Sequence, residues 1–133
     1  RLGHYPNVTF IPPHQPVDLP PLLARLSVGI IPFVCNRHTY TIYPLKINEY
    51  LAAGLSVVST PFSILDDFDG VIELAETPEQ FAQAIRHALA DTNPLRVQQR
   101  VAMAQRNAWP ERAREFEGVI RQMPKAWRQE QPA

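Results

Sequence analysis

Two charged residues, Lys46 and Glu49, stand where they could recognise an anion together with the hydroxyl groups beside it. They are three positions apart, so on a helix both project from the same side. Pro44 fits the first helical position, which places Lys46 in the first turn beside backbone N–H groups that lack partners. A helix start with a lysine favours an anion, and a carboxylate one turn later can accept hydrogen bonds from sugar hydroxyls. This combination is typical of a site for a nucleotide or a nucleotide-sugar.

The segment that carries this pair predicts a helix, a stop and a buried strand. Gly54 ends the helix, and the segment Ser56-Val-Val-Ser-Thr60 that follows it is predicted as the strand. The plain alternative is that Lys46 and Glu49 form only a solvated ion pair, worth about 0.2–0.5 kcal/mol. Whether the pair is a ligand site or an ordinary surface ion pair therefore has to be judged from the sequence motifs that surround it.

The rest of the chain alternates strand-like and helix-like runs. Strands are predicted at Val8–Ile11, Val28–Phe33, Ser56–Thr60 and Val71–Leu74, with helices between and after them. Alternation of this kind indicates an α/β fold, a Rossmann-like parallel sheet with flanking helices. Ligands of such sheets bind beyond the carboxyl ends of the strands. Four polar residues are predicted on that side: Asn36, Lys46, Glu49 and Thr60.

Composition excludes several classes of function. Thirteen basic and thirteen acidic residues balance, so charge gives no case for binding nucleic acid or an anionic membrane. A single cysteine, Cys35, excludes an intramolecular disulfide and suits a reducing compartment. No apolar run approaches the roughly 18–20 residues that cross a bilayer. The histidines have no metal-ligand spacing, and Asp66 to Gly70 reads as turn chemistry rather than a metal site.

Five short motifs, in this order and spacing, resemble a known family. The motifs are Pro6-Asn-Val-x-Phe10, Ile30-Ile-Pro-Phe33, Pro44-Leu-Lys-x-x-Glu-Tyr-Leu-Ala-Ala-Gly-x-x-Val-Val-Ser-Thr60, Phe81-Ala-x-Ala-Ile85 and Asn107-x-Trp109. With them the chain resembles the C-terminal, donor-binding domain of bacterial glycosyltransferases with the two-domain GT-B fold, and within it the retaining group that uses nucleotide-sugars. The resemblance spans roughly residues 6 to 122.

The resemblance implies a role for each candidate site residue. Glu49 matches the second acidic residue of the family's Glu-x7-Glu motif, which holds the ribose hydroxyls. Lys46 matches a basic residue that meets the diphosphate. Thr41 stands where the first glutamate would be, so Asn36, Thr39 or Thr41 itself is expected to supply another anchor. Thr60 ends a strand where the diphosphate could sit, and no residue is assigned as catalytic.

The implied activity is transfer of a hexose from a UDP- or GDP-hexose to an acceptor in glycan or polysaccharide assembly, with no metal required. The resemblance places the chain in the cytoplasm, or at the inner face of the membrane through the rest of a longer protein. The alternative is a non-catalytic binding or assembly module that kept the fold and lost the chemistry, which Thr41 favours.

The predicted domain covers residues 1–123 and is followed by a polar tail, residues 124–133. The family's sheet has the strand order 3-2-1-4-5-6, and Val8–Ile11 corresponds to its third strand. The first two strands and the N-terminal acceptor domain are then absent, so the sheet is expected to be truncated on its N-terminal side and this chain alone inactive. An open edge at Val28–Phe33 is expected to be covered by the rest of a longer protein or by a second copy.

Overall fold

The computed structural model describes residues 2–123, and both Arg1 and the predicted polar tail, residues 124–133, lie outside them. Within these residues three strands form one parallel sheet in the order β1-β2-β3. Helices flank the sheet, so the predicted α/β, Rossmann-like class is confirmed. The elements are β1 Val28–Ile31, β2 Ser56–Ser59 and β3 Glu73–Leu74, with α1 Leu19–Leu23, α2 Leu45–Ala52, α3 Pro78–Ala90, α4 Pro94–Arg106 and α5 Trp109–Gln122.

Helix α2 is the crossover between the two longer strands. In the register of β1 with β2, Val28 lies opposite Ser56 and Ile31 lies opposite Ser59. A crossover between parallel strands runs back along the sheet, so α2 begins beyond the carboxyl end of β1. Gly54, with a φ of 76°, ends the helix as predicted, because this left-handed backbone conformation costs glycine little. The topology therefore places the first turn of α2 at the edge where such sheets bind ligands.

The predicted strand Val8–Ile11 is wrong, since these residues have no regular structure. The β-branched and aromatic run indicates a strand, but a strand also needs a neighbour to pair its backbone groups. Phe10 and Ile11 instead remain 70% and 50% exposed. Among residues 2–123, β1 pairs with β2 alone, so its other edge is open.

The other boundaries are shifted by small, explicable amounts. Strand β1 ends at Ile31 rather than Phe33 because Pro32 has no N–H for the ladder. Pro44 is the residue before α2 rather than its first residue, with a ψ of 65° that is not helical. The sequence Thr77-Pro-Glu-Gln80 predicts a capping box at the start of α3, and the structure confirms it. Thr77 Oγ1 accepts from the Gln80 backbone N–H at 3.2 Å, and Gln80 Oε1 accepts from the Thr77 N–H at 3.2 Å.

Apolar side chains cover both faces of β2, whose four residues are all buried. On one face α2 buries Ile47 and Leu51 completely, as their helical spacing predicts. On the other face Val58 packs against Ala84 and Ala88 of α3. Helices thus cover both faces of the sheet, and the burial of Ile47 and Leu51 fixes α2 against one of these faces.

A buried arginine ties α4 to the end of α2. Arg100 is only 6% exposed, and its guanidinium donates to the Asp91 carboxylate and to the Gly54 carbonyl at 3.4 Å. The backbone N–H of Asn93 donates to Asp91 Oδ1 at 3.1 Å. That hydrogen bond, followed by those from Arg100, lowers the pKa of Asp91 below its usual value of 3.8.

This lowered pKa predicts a pH-dependent contribution to stability. The ionised Asp91 carboxylate stabilises the fold at all pH values above its unfolded pKa of 3.8. The contribution is lost as pH falls through the lower folded-state pKa. Thermal unfolding followed by circular dichroism from pH 2 to 7 should therefore show Asp91→Asn less stable than the wild type at neutral pH, with the difference closing in acid. Asp18→Asn is the control, since Asp18 caps no backbone N–H at the start of α1.

Candidate functional site

Lys46 and Glu49 lie together in the first two turns of α2. Lys46 Nζ is 2.7 Å from Glu49 Oε2, and the two side chains are 60% and 40% exposed. The hydrogen bond to Glu49 raises the pKa of Lys46, with burial acting in the opposite direction, and the lysine is cationic at neutral pH. The pair thus has the geometry of the plain alternative, a solvated ion pair. A ligand that recognises both groups would have to separate them.

The backbone at the start of α2 offers fewer free donors than the sequence suggests. The Leu45 N–H donates to the Tyr43 carbonyl at 3.0 Å, and the Ile47 N–H donates to the Pro44 carbonyl at 3.0 Å. Pro44 itself has no N–H and makes no side-chain cap. The attraction for an anion therefore rests more on the Lys46 ammonium group than on unpaired amides.

Side chains from the loop between β1 and α2 are used to fold that loop. Asn36 Oδ1 accepts from the backbone N–H groups of His38 at 2.9 Å and Thr39 at 3.0 Å. Thr39 Oγ1 donates to the Val34 carbonyl at 2.6 Å, and Thr41 Oγ1 donates to the His38 carbonyl at 3.0 Å. The hydroxyl protons of both threonines are committed in this way, and Thr39 Oγ1 also accepts from the Asn36 backbone N–H at 3.0 Å. The Thr41 lone pairs and the Asn36 Nδ2 group remain for a ligand.

Thr60 fastens this loop to the carboxyl end of the sheet. Its Oγ1 donates to the Phe33 carbonyl at 2.6 Å, and its backbone N–H donates to the Ile31 carbonyl at 3.1 Å. Further along, Ser63 Oγ donates to the Tyr40 carbonyl at 2.9 Å. Thr60 also lines a cavity of about 420 Å³ on the α3 side of the strand ends. The structure gives Thr60 a clear part in holding the loop, while its contact with a diphosphate stays a prediction.

A hydrogen-bonded chain that the sequence does not reveal runs from the start of α2 to α5. Asn48 Nδ2 donates to Tyr43 Oη at 3.1 Å, and Asn107 Nδ2 donates to Asn48 Oδ1 at 3.1 Å. Arg112 Nη2 donates to Asn107 Oδ1 at 2.6 Å. Hydrogen bonds from Arg112 to Glu115 and to the Tyr43 hydroxyl raise the pKa of this guanidinium. The sole sequence signal for the chain is Asn107, as part of the Asn-x-Trp motif.

Beside these hydrogen-bonded side chains lies a cavity of about 700 Å³ between α2, α4 and the start of α5. Ligand pockets commonly enclose about 300–1,000 Å³ of mainly apolar wall with a few polar groups. Glu49 belongs to its wall, whereas Lys46 does not. The other lining residues are Tyr43, Leu45, Asn48, Ala52, Val101, Ala104, Gln105, Asn107, Ala108, Trp109 and Arg112.

The described part of the chain has no cluster of three or more histidine, cysteine, aspartate or glutamate side chains that could hold a metal ion. Asp66 and Asp67 lie in a single 3-10 turn, and Asp67 is 3.8 Å from Arg112. Within residues 2–123, no helix has the length and apolar character that a membrane span requires.

Comparison with known proteins identifies the family. Residues 1–91, which include α2 and the Lys46–Glu49 pair, match the model of the family described as glycosyl transferases group 1. The chain belongs to this glycosyltransferase family. The match confirms the resemblance seen in the motifs and agrees with the Rossmann-like α/β sheet.

One relative of this glycosyltransferase domain comes from Bacillus subtilis (strain 168), where it is described as "Putative teichuronic acid biosynthesis glycosyltransferase TuaH". The two sequences are 36% identical over 60 residues, which is 45% of this chain and 15% of the relative. The match thus spans a small part of that longer protein. No solved structure matches the chain significantly.

Proposed function

We propose that this domain binds the nucleotide-sugar donor of a glycosyltransferase that moves a hexose from UDP or GDP to an acceptor in glycan or polysaccharide assembly. The observation that carries the proposal is the Lys46–Glu49 pair in the first two turns of α2, beyond the carboxyl end of β1, within a glycosyltransferase domain. The description of the Bacillus relative supports a polysaccharide as the class of product. The short match to that relative supports a longer parent protein.

Donor binding would separate the ion pair. Lys46 Nζ would turn to the diphosphate, and the Glu49 carboxylate would accept hydrogen bonds from the ribose hydroxyls. During transfer, the bond between the sugar carbon and the diphosphate oxygen breaks, and negative charge grows on the leaving diphosphate. A fixed cation at that position stabilises the transition state more than the ground state. In this proposal Lys46 supplies that charge without a metal.

Three further residues would complete the donor site. The Asn36 Nδ2 group is outside the hydrogen bonds of the loop and could donate to a ligand. Thr41 Oγ1 and Thr60 Oγ1 use their protons within the protein, so their lone pairs could accept from a ligand. Thr41 cannot supply the negative charge of the glutamate that relatives place there. With a neutral side chain at this position, the site is expected to bind the donor sugar less tightly than the nucleotide.

The second candidate is a non-catalytic binding or assembly module. It is favoured by one observation: Lys46 and Glu49 neutralise each other at 2.7 Å, with the neutral Thr41 in place of a second carboxylate. The two candidates differ in turnover, since a module would bind nucleotide without transferring the sugar.

Calorimetry of the full-length protein tests both candidates. Titration with UDP and GDP, and then with UDP- and GDP-hexoses, should show saturable binding of one nucleotide and its sugar. Binding with release of free nucleotide in the presence of acceptor supports the transferase. Binding without such release favours the module, and the lack of any binding would overturn both.

Replacing Glu49 with glutamine should separate the two halves of the proposed site. Loss of a charged acceptor for ribose hydroxyls is expected to weaken nucleoside diphosphate binding about 10- to 100-fold, the effect of removing a hydrogen bond to a charged group. Inorganic pyrophosphate should bind at least as well as before, because Lys46 loses its competing partner. Glu111→Gln is the matched control, since Glu111 forms an exposed i,i+3 pair with Arg114 on α5. Equal weakening of both ligands would contradict the ribose role.

The open edge of β1 is the proposed contact surface for the remainder of the parent protein, including an acceptor domain, or for a second copy of this chain. Ile30 on this strand is 47% exposed, and open strand edges are normally covered.

The balanced charge and the single Cys35 support a cytoplasmic location, at the inner face of the membrane if the remainder of the protein associates with it.

A further inference from the structure

We propose that Asn107, at the junction of α4 and α5, is a positioning residue for the donor site. Through Asn48 it holds the turn of α2 that carries Lys46 and Glu49. This inference rests on the proposed function, because it concerns the affinity of that site for a nucleoside diphosphate. Asn107 itself would not touch the ligand.

The start of α2 needs support from outside the helix. The helix has eight residues, and Pro44 before it makes no side-chain cap. A capping side chain typically contributes about 1 kcal/mol, and isolated helices shorter than about 12–15 residues are marginal in water. The hydrogen bond from Asn48 Nδ2 to Tyr43 Oη spans the helix start and joins its first turn to the residue before Pro44.

Asn107 fixes the orientation of Asn48. Its Nδ2 group donates to Asn48 Oδ1 at 3.1 Å, while its Oδ1 accepts from Arg112 at 2.6 Å. The arginine cannot accept a hydrogen bond, so it sets which end of the Asn107 amide faces α2. Asn107 then sets which end of the Asn48 amide faces Tyr43. One directional chain thus runs from α5 to the first turn of α2.

The position of Asn48 makes this chain relevant to the ligand. Asn48 lies directly before Glu49 and two residues after Lys46, so a tilt of this turn moves both charged groups. The inner face of α2 is held separately, since Ile47 and Leu51 are fully buried. The core therefore fixes the helix against the sheet, while the hydrogen bonds of Asn48 and Asn107 set the orientation of its first turn.

Two substitutions of Asn107 should behave differently in calorimetry of the full-length protein with UDP and GDP. Asn107→Leu keeps the size but removes the bridge, and should weaken binding of the preferred nucleotide about fivefold, the effect of one hydrogen bond. Asn107→Asp should restore near-normal affinity. The Asn48 amide can turn to donate to the new carboxylate, and the Tyr43 hydroxyl can then donate to Asn48 Oδ1.

A control and a double mutant separate positioning from general stability. Asn93→Ala removes the hydrogen bond of 2.9 Å that caps the start of α4, so it should lower the melting temperature without changing nucleotide affinity. In a Glu49→Gln background, the effect of Asn107→Leu on affinity should be smaller than in the wild type, because one of the two charged groups that the turn positions is gone. Additive effects would mean that Asn107 does not act through this turn, and would overturn the inference.

The remaining outcomes are also distinct. If Asn107→Leu binds nucleotide as tightly as the wild type while Lys46→Ala binds weakly, the positioning role is wrong and the proposed function stands. If Asn107→Asp binds as weakly as Asn107→Leu, the directional bridge is wrong. If the wild type binds neither UDP nor GDP, the proposed function and this inference fall together.

Discussion

Replacing Lys46 with alanine is expected to lower turnover of the full-length enzyme about 100- to 1,000-fold, the usual effect of removing one group that stabilises a developing anion. The ammonium group lies beyond the carboxyl end of β1. A lysine is protonated at neutral pH, and the hydrogen bond to Glu49 raises the pKa of Lys46 further. Because charge on the diphosphate grows only as the sugar bond breaks, most of the loss should appear in kcat. Steady-state release of UDP or GDP with the natural acceptor is the measurement.

The matched control for this substitution is Arg114→Ala on α5. Arg114 pairs with Glu111 at i,i+3 spacing, and its side chain is 65% exposed against 60% for Lys46. Each substitution removes one positive charge and one exposed ion pair, which costs at most about 1 kcal/mol in stability. Melting temperatures should therefore shift alike, while only Lys46→Ala loses turnover. Near-normal turnover of Lys46→Ala would remove the basis for the diphosphate role.

Replacing Gly29 with alanine is expected to destabilise the fold by about 1–3 kcal/mol, the usual cost of overpacking a filled core. A Cβ atom at this position of β1 would lie 2.3 Å from the Cδ2 atom of Tyr50, and two more ring atoms would be within 2.9 Å. The ring belongs to α2 and is packed against the core. Because one of these ring atoms is Cγ, close to the backbone of α2, relief of the contact is expected to shift the helix and so to disturb the Lys46–Glu49 turn. Urea unfolding of the purified protein measures the loss.

Two variants test the cause of this loss. Gly118→Ala is the control, because nothing lies within 4 Å of a Cβ added at Gly118 on α5. That change should stabilise the protein by about 0.5–1 kcal/mol, since alanine favours a helix over glycine. In the double mutant Gly29→Ala/Tyr50→Leu, the smaller side chain should recover part of the lost stability. A Gly29→Ala protein as stable as the wild type would show that α2 can move away from β1 at little cost.

Features that depend on residues close together in the sequence were predicted correctly. The capping box of Thr77 and Gln80 needs residues three apart, and the buried faces of α2 and α3 follow the helical repeat. The stop at Gly54 follows from a backbone conformation that glycine adopts readily. The contact of Lys46 with Glu49 is of the same kind, because helical spacing alone brings the two together.

The errors concern features that need a partner from far along the chain. Residues 8–11 have the composition of a strand, but a strand forms only where another can pair with it. Asn48 and Asn107 are 59 positions apart, and no local sequence pattern predicts the hydrogen bond between their side-chain amides. The hydrogen bonds of Asn36 and Thr41 are local, but an irregular loop has no sequence repeat from which they could be predicted. Contact of these two side chains with a ligand stays a prediction.

The amino-acid sequence by itself thus determined the α/β class, the family and the pairing of the two charges on α2, because each follows from short-range periodicity or an ordered set of motifs. The packing of α4 and α5 against α2 determined the cavity beside Glu49 and the asparagine chain that supports its turn. Hydrogen bonds are directional and reach about 3 Å. Their partners can therefore be known only once distant segments have been brought together in space.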